Sequence, residues 1–531
     1  MTDITKIEPL LAAGDIAGAA AIAEQAIGEG TRTPMLLNLA AWRREEDGDF
    51  AGARDLLEQA RLLAPGDPSI DTALGTVLRK EGRIDAAIAA FDAVLARHPG
   101  YAVAWLERGF AFDAANRFAP AADSFRQAAG LDPSLAPAFA GLAWIAAVQG
   151  NHMEVGDYAD RALAIDPFDA TAHSAIAQSE IEQGLADTAA SRLRSLLGRS
   201  DLPPTKRLIA LGLLGDALDR LGATDEAFAA WQEANAVFLS LNARQYRDQP
   251  THRTFVEHVH AQVGTLGPIK RRPALSTAGL PRRHVFLLGY PRSGTTLVEN
   301  ILASADDVDA IEEQPTFSDA AEAFLLDDHG LSRLADLDAA SIEPFRRAYW
   351  ARVSQAGVVP AGRVLVDMDP LKSIQLPLIA NLFPDARIVI MQRDPRDVVW
   401  SCFRRSFAPS TATLEFTNIE RIARHYSSTM ELIEACRATM PITVHTVSHD
   451  RLVADFDTET AALCAFVGIE WSDRLREFSR TAQRRGVATA SAPQVRRGLF
   501  NANGGWRRYS RYLEAAMPVL QPWIERFGYS P

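Results

Sequence analysis

The sequence predicts two folds in one chain: an all-α solenoid of repeated helix pairs, followed by an α/β domain with a parallel β-sheet. In the first half, four prolines stand 34 residues apart with helical patterns on either side of each: Pro65, Pro99, Pro133 and Pro167. In the second half, short apolar runs alternate with amphipathic helical patterns, which is typical of βα units. We therefore predict a solenoid over residues 1–241, a connecting helix and linker over 242–280, and an α/β domain over 281–531.

Small and aromatic residues recur at equivalent offsets within the 34-residue period. Small residues let paired helices approach closely, an aromatic side chain fills the gap between them, and proline ends the second helix. The recurring positions are Gly75, Gly109 and Ala143; Ala53, Ala87 and Ala121; Phe91 and Phe125; and Ala60, Ala128 and Ala162. A later unit with Gly215 and Trp231 keeps the offsets, which gives roughly six or seven units in all.

This period resembles the tetratricopeptide repeat. The resemblance implies that the helix pairs stack into a superhelix whose concave groove suits a peptide or protein partner. The sequence leaves three roles for the groove open: presenting a substrate, binding a separate partner, or bracing the second domain.

Composition indicates a chain without a membrane span. The 531 residues are 47% hydrophobic, but no run of eighteen apolar residues occurs. The first fifteen residues have neither the basic start nor the apolar middle of a secretory signal. The three cysteines stand singly, at Cys402, Cys436 and Cys464. This spacing favours reduced core residues over a disulfide framework or a zinc site, so we expect a cytoplasmic protein without a metal.

The negative charge is concentrated in the first half of the chain. The net charge is −12, yet residues 270–531 hold 32 Lys+Arg against 31 Asp+Glu, which leaves 23 against 36 in residues 1–269. Such a balance disfavours nucleic-acid binding. A neutral second half with clustered arginines can still hold one anionic ligand.

The connecting segment carries three histidines, His252, His258 and His260. A metal site is disfavoured, because residues two apart do not share a helix face and no cysteine or HExxH spacing lies nearby. We expect a solvated connecting helix here.

The sequence HVFLLGYPRSGTT, residues 284–296, predicts an anion-binding loop. Val285 to Leu288 form a buried strand, Gly289 turns the chain, and an amphipathic helix follows. Free backbone N–H groups converge at the start of such a helix, so the loop suits phosphate or sulfate. The loop has the P-loop outline, but threonine stands where a nucleotide triphosphatase carries lysine, which disfavours ATP or GTP hydrolysis. A strand-turn-helix corner without a ligand is the alternative.

At this loop the sequence resembles the sulfotransferases, whose 5′-phosphosulfate loop has a similar Gly-x-Pro-Arg-Ser-Gly-Thr-Thr pattern. It looks most similar to the branch that contains the tyrosylprotein sulfotransferases and bacterial proteins with tetratricopeptide repeats. The resemblance implies that the donor is 3′-phosphoadenosine 5′-phosphosulfate. It assigns the 5′ end to Arg292, Ser293, Gly294, Thr295 and Thr296, the 3′-phosphate to Arg393, Ser401 and Arg405, and the adenine to His449, where the family often has tyrosine.

The resemblance also implies the catalytic residues. Sulfuryl transfer to a hydroxyl needs a base, and Glu313, the second residue of a Glu-Glu pair after a predicted strand, matches the family's base. Ser491 keeps the family pattern Ser-x-x-Gln-Val. The family's lysine is replaced by Met368, so Lys372 is the candidate for its charge, and Pro315 replaces an arginine on the acceptor side. His425 is a second candidate base.

The sequence therefore predicts a sulfotransferase that acts on a hydroxyl acceptor, such as a peptide tyrosine or a sugar. Two alternatives stay open. One is a non-catalytic interaction protein with a degenerate nucleotide-binding domain, which Met368 and Pro315 favour. The other is a nucleotide kinase or hydrolase, which the missing lysine after Gly294 disfavours.

Overall fold

The computed structural model describes residues 2–266, 280–359, 361–485, 495, 498–499 and 503–530. The chain divides into two compact units, Met1–Leu202 and Pro203–Pro531. The repeat pattern extends to residue 241, whereas the helix pair at 204–242 packs with the second unit. The boundary at residue 241 therefore stays a prediction of where the repeat pattern ends.

The first unit is a series of helix pairs. Each of the four periodic prolines lies two residues after the end of a helix, as expected for a residue that stops helix propagation. The helices are α1 Ile7–Ala12, α2 Ile16–Gly28, α3 Pro34–Glu46, α4 Phe50–Leu63, α5 Pro68–Lys80, α6 Ile84–Arg97, α7 Ala102–Ala114, α8 Phe118–Leu131, α9 Ala136–Gln149, α10 His152–Ile165, α11 Ala170–Glu182 and α12 Ala186–Leu197.

Close glycine–aromatic packing joins the helices of a pair. A Cβ atom on Gly75 would lie 2.5 Å from Cε1 of Phe91, and one on Gly109 would lie 2.5 Å from Cε1 of Phe125. No side chain larger than hydrogen fits there without displacing the ring. The periodic small and aromatic residues thus have the packing role that the sequence predicts, and the repeat-solenoid fold is confirmed.

The second unit begins with three helices, α13 Pro204–Arg220, α14 Thr224–Asn242 and α15 His252–Thr265. The connecting helix α15 is not the solvated helix that we expect from the sequence. Val256, Val259 and Val263 are fully buried, and α15 packs against the later helix α22, Ile419–Thr439. One face of α15 therefore belongs to the core.

The described part of the second unit contains a parallel five-stranded sheet, in the order β2-β3-β1-β4-β5. The strands are β1 Arg283–Leu288, β2 Val308–Glu312, β3 Val364–Met368, β4 Arg387–Gln392 and β5 Thr443–Ser448. The strand at Val285 to Leu288 that the sequence predicts lies within β1. The sequence-predicted α/β fold with a parallel sheet is therefore confirmed.

Helices cover the sheet. One face of the sheet packs Val285, Leu287, Val366 and Val389 against α16, α24 and α25, which bounds one hydrophobic core. The remaining helices are α16 Thr295–Leu302, α17 Ser318–Phe324, α18 Gly330–Asp336, α19 Ala339–Gln355, α20 Leu376–Leu382, α21 Pro395–Phe403, α23 His449–Ala454, α24 Phe456–Val467, α25 Phe478–Arg485, α26 Ser510–Leu513 and α27 Met517–Arg526.

None of the helices in the described residues has both the length and the apolar character needed to cross a bilayer. The three cysteines are free and buried, and burial raises the pKa of the Cys402 thiol to about 12. Their thiols are therefore protonated at neutral pH. The cytoplasmic location expected from the sequence stays a prediction.

Candidate functional site

The candidate site lies at the carboxyl end of β1, between β3 and β4. The chain leaves β1 toward one edge of the sheet and returns through β4 on the other side, and such a switch point forms a crevice. The loop at 289–294 enters α16, with Gly294 before the first helical residue at a φ of 110°. Ser293, Thr295 and Thr296 are all buried, so the surrounding chain encloses the loop.

Two candidate site residues have unusual backbone conformations. Among the described residues other than glycine, positive φ angles occur at Arg292 (71°), Glu313 (47°) and Asn116 (55°). Asparagine tolerates this region, but arginine and glutamate seldom adopt it, and such strain concentrates at functional sites. The backbone therefore singles out the same two residues that the sequence motifs indicate.

The loop arginine joins the two predicted anion-binding corners. Arg292 Nε donates a hydrogen bond to Ser401 Oγ on α21 at 3.0 Å, and Arg393 Nη1 donates to the carbonyl oxygen of Arg292 at 3.2 Å. Burial and the nearby positive charge of Arg405 lower the pKa of Arg292 to about 9. An anion bound among these arginines would offset their mutual repulsion.

Side chains from distant parts of the chain hold the loop in place. Ser373 Oγ accepts a hydrogen bond from Gly289 N (3.1 Å) and donates one to Gly289 O (2.7 Å). Hydrogen bonds also link Tyr290 Oη to His425 Nδ1 and His425 Nε2 to His252 Nδ1, both at 2.7 Å. Sequence reasoning missed these supports, because no local pattern distinguishes them.

Both ring nitrogens of His425 are thus engaged in hydrogen bonds, and the residue is fully buried. Burial lowers the pKa of His425 well below its usual value. These contacts favour a role in supporting the loop over the alternative role of catalytic base.

His449 lies beside the loop, as expected for a residue near the nucleotide. Its Cδ2 atom would be 2.8 Å from a Cβ atom on Gly294. Burial and the positive charge of Arg393 lower the pKa of His449 to about 3, so its imidazole is neutral at physiological pH. Its stacking on adenine stays a prediction.

Glu313 follows β2, and its backbone N–H donates to Met368 O at the end of β3 at 2.7 Å. The residue is exposed at the surface. Dehydration of its carboxyl by the surrounding protein, aided by the negative charges of Asp369 and Glu312, raises the pKa of Glu313 to about 8.

Met368 and Lys372, the residues that bear on the family's missing lysine, are both buried. Met368, which replaces the family lysine, is fully buried in the core face of the sheet. Lys372 is also buried, and its ammonium group pairs with the buried carboxylate of Asp367. Asp367 accepts further hydrogen bonds from Tyr349 Oη at 2.8 Å and Thr316 Oγ1 at 2.9 Å. Lys372 is therefore part of a buried network.

Ser491 lies outside the described residues. The preceding Arg485 donates hydrogen bonds to Glu299 Oε1 (2.7 Å) on α16 and to the carbonyl oxygen of Ala310 (3.0 Å) on β2. This places residue 485 beside the edge of the sheet that carries Glu313. Among the described residues no group of histidine, cysteine and carboxylate side chains is arranged to hold a metal ion.

Comparison with known proteins gives a match to a family model in each part of the chain. Residues 284–473 match the model of the sulfotransferase family. This stretch includes the anion-binding loop, Glu313 and the Arg393–Arg405 corner. In the first unit, residues 72–136 match the tetratricopeptide repeat model. The chain thus contains one segment that matches the tetratricopeptide repeat and a later segment that matches the sulfotransferase family.

Two relatives resemble the chain more distantly. An uncharacterized protein of Aquifex aeolicus (strain VF5) is 26% identical over 418 residues, which cover 76% of this chain and 53% of that protein. The chain therefore spans about half the length of that relative. Protein-tyrosine sulfotransferase 1 of Danio rerio is 24% identical over 310 residues, which cover 54% of this chain and 82% of that protein.

Among solved structures, a thermophilic tetratricopeptide repeat protein of Thermus thermophilus is 20% identical and covers 34% of this chain and 98% of its own, with a TM-score of 0.31. A tetratricopeptide repeat protein of Parabacteroides merdae is 16% identical and covers 44% of this chain and 91% of its own, with a TM-score of 0.35.

Proposed function

We propose that the protein is a sulfotransferase that moves the sulfuryl group of 3′-phosphoadenosine 5′-phosphosulfate to a hydroxyl acceptor. One observation carries the proposal: Arg292 Nε donates to Ser401 Oγ at 3.0 Å, so the loop and the α21 corner share one site. A nucleotide with phosphates at both ends would use both corners. The match of residues 284–473 to the sulfotransferase family supports the same donor.

Each part of the donor has candidate partners. The N–H groups of the loop and of Thr295 and Thr296 would bind the 5′-phosphosulfate at the start of α16. Arg393, Ser401 and Arg405 would bind the 3′-phosphate, because guanidinium forks pair with phosphate oxygens. Positive charge from several arginines would serve where other transferases use a metal ion.

Glu313 would act as the base. As the acceptor oxygen forms a bond to sulfur, the bond from sulfur to the bridging oxygen breaks, and the bridging oxygen keeps the electron pair. The acceptor proton passes to the carboxylate of Glu313, whose raised pKa makes it a better proton acceptor than an ordinary glutamate. Lys372 and Ser491 stay proposed contributors: Lys372 from its pair with Asp367, and Ser491 from outside the described residues.

Calorimetry tests the donor. The full-length protein should bind adenosine 3′,5′-bisphosphate more tightly than ADP, and Arg292→Ala should weaken bisphosphate binding by about 10²-fold, since a charged hydrogen-bond partner of the phosphate is lost. Glu322→Gln on the exposed face of α17 serves as a control and should bind like the wild type. A preference for ADP would refute the assignment.

Transfer of radiolabelled sulfate to acceptors in cell extracts tests the reaction. A product labelled by the wild type and not by Glu313→Gln supports catalysis. The non-catalytic alternative has one observation in its favour, namely that Met368 and Lys372 are both buried and Lys372 is already paired. Tight bisphosphate binding without any labelled product would support that alternative.

The proposal also covers the class of acceptor and the partner of the repeat groove. A peptide tyrosine is the first acceptor class to test, because the Danio rerio relative is named a protein-tyrosine sulfotransferase, and a sugar hydroxyl is the second. We expect the repeats to bind a peptide or protein partner in their groove. Amino-acid and sugar analysis of the labelled product distinguishes the two acceptor classes.

A further inference from the structure

Arg405 has a partner that the nucleotide site does not explain. Its Nη1 atom pairs with Asp216 Oδ2 on α13 at 2.8 Å. The neighbouring Arg404 pairs in the same way with Asp219, one turn further along α13, at 3.4 Å. Two carboxylates of one helix thus face two consecutive arginines just after α21.

Arg405 lies two residues beyond Phe403, the last residue of α21, so the helix itself does not hold its side chain in place. Its long side chain has many rotamers, and an arginine outside a helix loses much conformational freedom when it is ordered. The backbone N–H of Arg405 donates to the carbonyl oxygen of Cys402, the residue after Ser401, at 3.3 Å. Burial is the first cause of the lowered pKa of Arg292, and the positive charge of Arg405 is the second. The pair with Asp216 therefore fixes the side chain of an arginine that lies close to Ser401 in the chain.

The helix that carries Asp216 is itself held rigidly. Gly215, the preceding residue, packs so closely on the indole of Trp231 that a Cβ atom would overlap the ring. Asn235 Nδ2 on α14 donates to the carbonyl oxygen of Phe403 at 2.9 Å, which ties the helix pair to the end of α21. Tyr509 Oη donates to Asp219 Oδ1 at 2.7 Å. The contacts of α13 and α14 thus fix the position of Asp216 relative to Arg405.

We propose that Asp216 is a positioning residue for the 3′-phosphate of the donor, because it holds the guanidinium group of Arg405 at the end of α21, one turn after Ser401, which accepts a hydrogen bond from Arg292 Nε. This inference rests on the proposed donor. It gives the last helix pair, which keeps the repeat offsets, a part in nucleotide recognition. The five N–H donors of arginine let Asp216 bind one edge of the guanidinium group while phosphate binds another.

The direction in which nucleotide affinity changes when Asp216 is removed distinguishes a positioning role from a simple effect of its negative charge. Removing a carboxylate near an anion site would, by charge alone, tighten the binding of the anion. Losing the anchor of Arg405 would weaken it, since the arginine would then be ordered only at the expense of binding free energy. Weaker binding after removal of Asp216 therefore has positioning as its cause.

Calorimetry on the full-length protein with adenosine 3′,5′-bisphosphate and with adenosine 5′-phosphate tests the proposal. Asp216→Ala should weaken bisphosphate binding about tenfold, as expected for one charge-assisted hydrogen bond, and leave the 5′-phosphate unchanged. Asp216→Glu should restore most of the lost affinity. Asp225→Ala is the matched control, because Asp225 lies on α14 of the same helix pair and pairs with Arg511 instead.

Bisphosphate binding by Asp216→Ala that equals or exceeds that of the wild type would overturn the proposal. If this variant does not fold, Asp216→Asn keeps the side-chain volume and should show a smaller loss of the same sign; unchanged or tighter binding would again overturn it. In an Arg405→Ala background, Asp216→Ala should cause no further loss. A wild type that binds both nucleotides equally would instead refute the proposed donor.

Discussion

Glu313 is the residue on which the proposed chemistry depends most directly. Replacement by glutamine keeps the shape of the side chain but removes the base. We expect Glu313→Gln to lower the transfer rate by about 10²- to 10⁴-fold, the usual contribution of a general base, with unchanged affinity for adenosine 3′,5′-bisphosphate. Radiolabel transfer and calorimetry measure the two quantities. Unchanged transfer would exclude Glu313 as the base.

The pKa of Glu313 also predicts two pH effects. The wild-type transfer rate should rise as the pH increases toward about 8, because the base must be ionised. Since folding raises the pKa of this group, its contribution to stability is present below the pKa of the unfolded chain and is lost as pH rises through about 8. Glu313→Gln should therefore lose less stability than the wild type between about pH 5 and about pH 9 in thermal melts, while the control Glu322→Gln should follow the wild type.

Gly294 is a loop residue that tolerates a side chain poorly. Its φ of 110° strains any other residue, and a Cβ atom would lie 2.8 Å from His449 and 3.2 Å from Met391. We expect Gly294→Ala to destabilise the protein by about 1–3 kcal/mol and to weaken bisphosphate binding, because the loop must shift. Urea unfolding and calorimetry check this. Gly264→Ala is the control, since no atom lies within 4 Å of its added Cβ.

Motifs in the sequence predicted the residues that meet at Arg292, but not those that support them. Arg292, Arg393 and Ser401 belong to short patterns whose spacing indicates strand-to-helix corners, and the structure brings these corners together. Ser373 and His425 carry no such pattern. Ser373 contacts Gly289 across 84 positions of the chain, and His425 contacts Tyr290 across 135 positions. Only the folded chain brings such distant residues together.

At the scale of elements, the pair between Lys372 and Asp367 crosses from the turn after β3 to β3 itself. Both side chains are buried, so removing one partner leaves an uncompensated charge. Lys372→Met should destabilise the protein by about 3–5 kcal/mol, and Lys372→Met combined with Asp367→Asn should regain much of this loss. Denaturant unfolding measures both.

The same variants test the catalytic role of Lys372. If it only supports the fold, the folded double variant should retain the transfer rate of the wild type. If its charge assists the reaction, the double variant should be stable and slow. Equal stability of the single and double variants would contradict the pairing of these two charges.

The sequence predicts the existence of elements better than their limits. Strands and repeats follow from strong periodicities, and these were confirmed. The start of the long helix α22, Ile419–Thr439, is set by Asn418, whose side chain accepts a hydrogen bond from Arg421 N at 3.2 Å and caps the helix there. The apolar face of α15 was missed, since three histidines on the same segment suggested a solvated helix.

At the scale of the whole molecule, the helix pair at 204–242 is bound to the rest of the second unit by an aromatic cluster. Phe228 stacks on Tyr512 with ring centroids 3.7 Å apart, and Trp231 meets Trp400 edge-on at 5.4 Å. A protease site inserted at residues 244–250 should therefore be cut without separation of the two fragments. Size-exclusion chromatography after cleavage measures this.

Phe228→Ala in the cut protein should promote release of the fragments, because it removes the closest ring contact. Immediate separation of the unsubstituted fragments would contradict the packing of α13 and α14 with the second unit. Retention of bisphosphate binding after cleavage would in addition show that the chain connection itself is not needed for nucleotide recognition.

The strand order has a consequence for synthesis. Central strand β1 pairs through Arg283 with Val364 and through Val285 with Arg387, partners that leave the ribosome 81 and 102 residues later. The solenoid, built from neighbouring helices, can fold on the nascent chain at once, while the apolar β1 waits exposed. Chaperone supply and slow translation at low temperature should therefore govern the yield of folded protein in expression trials.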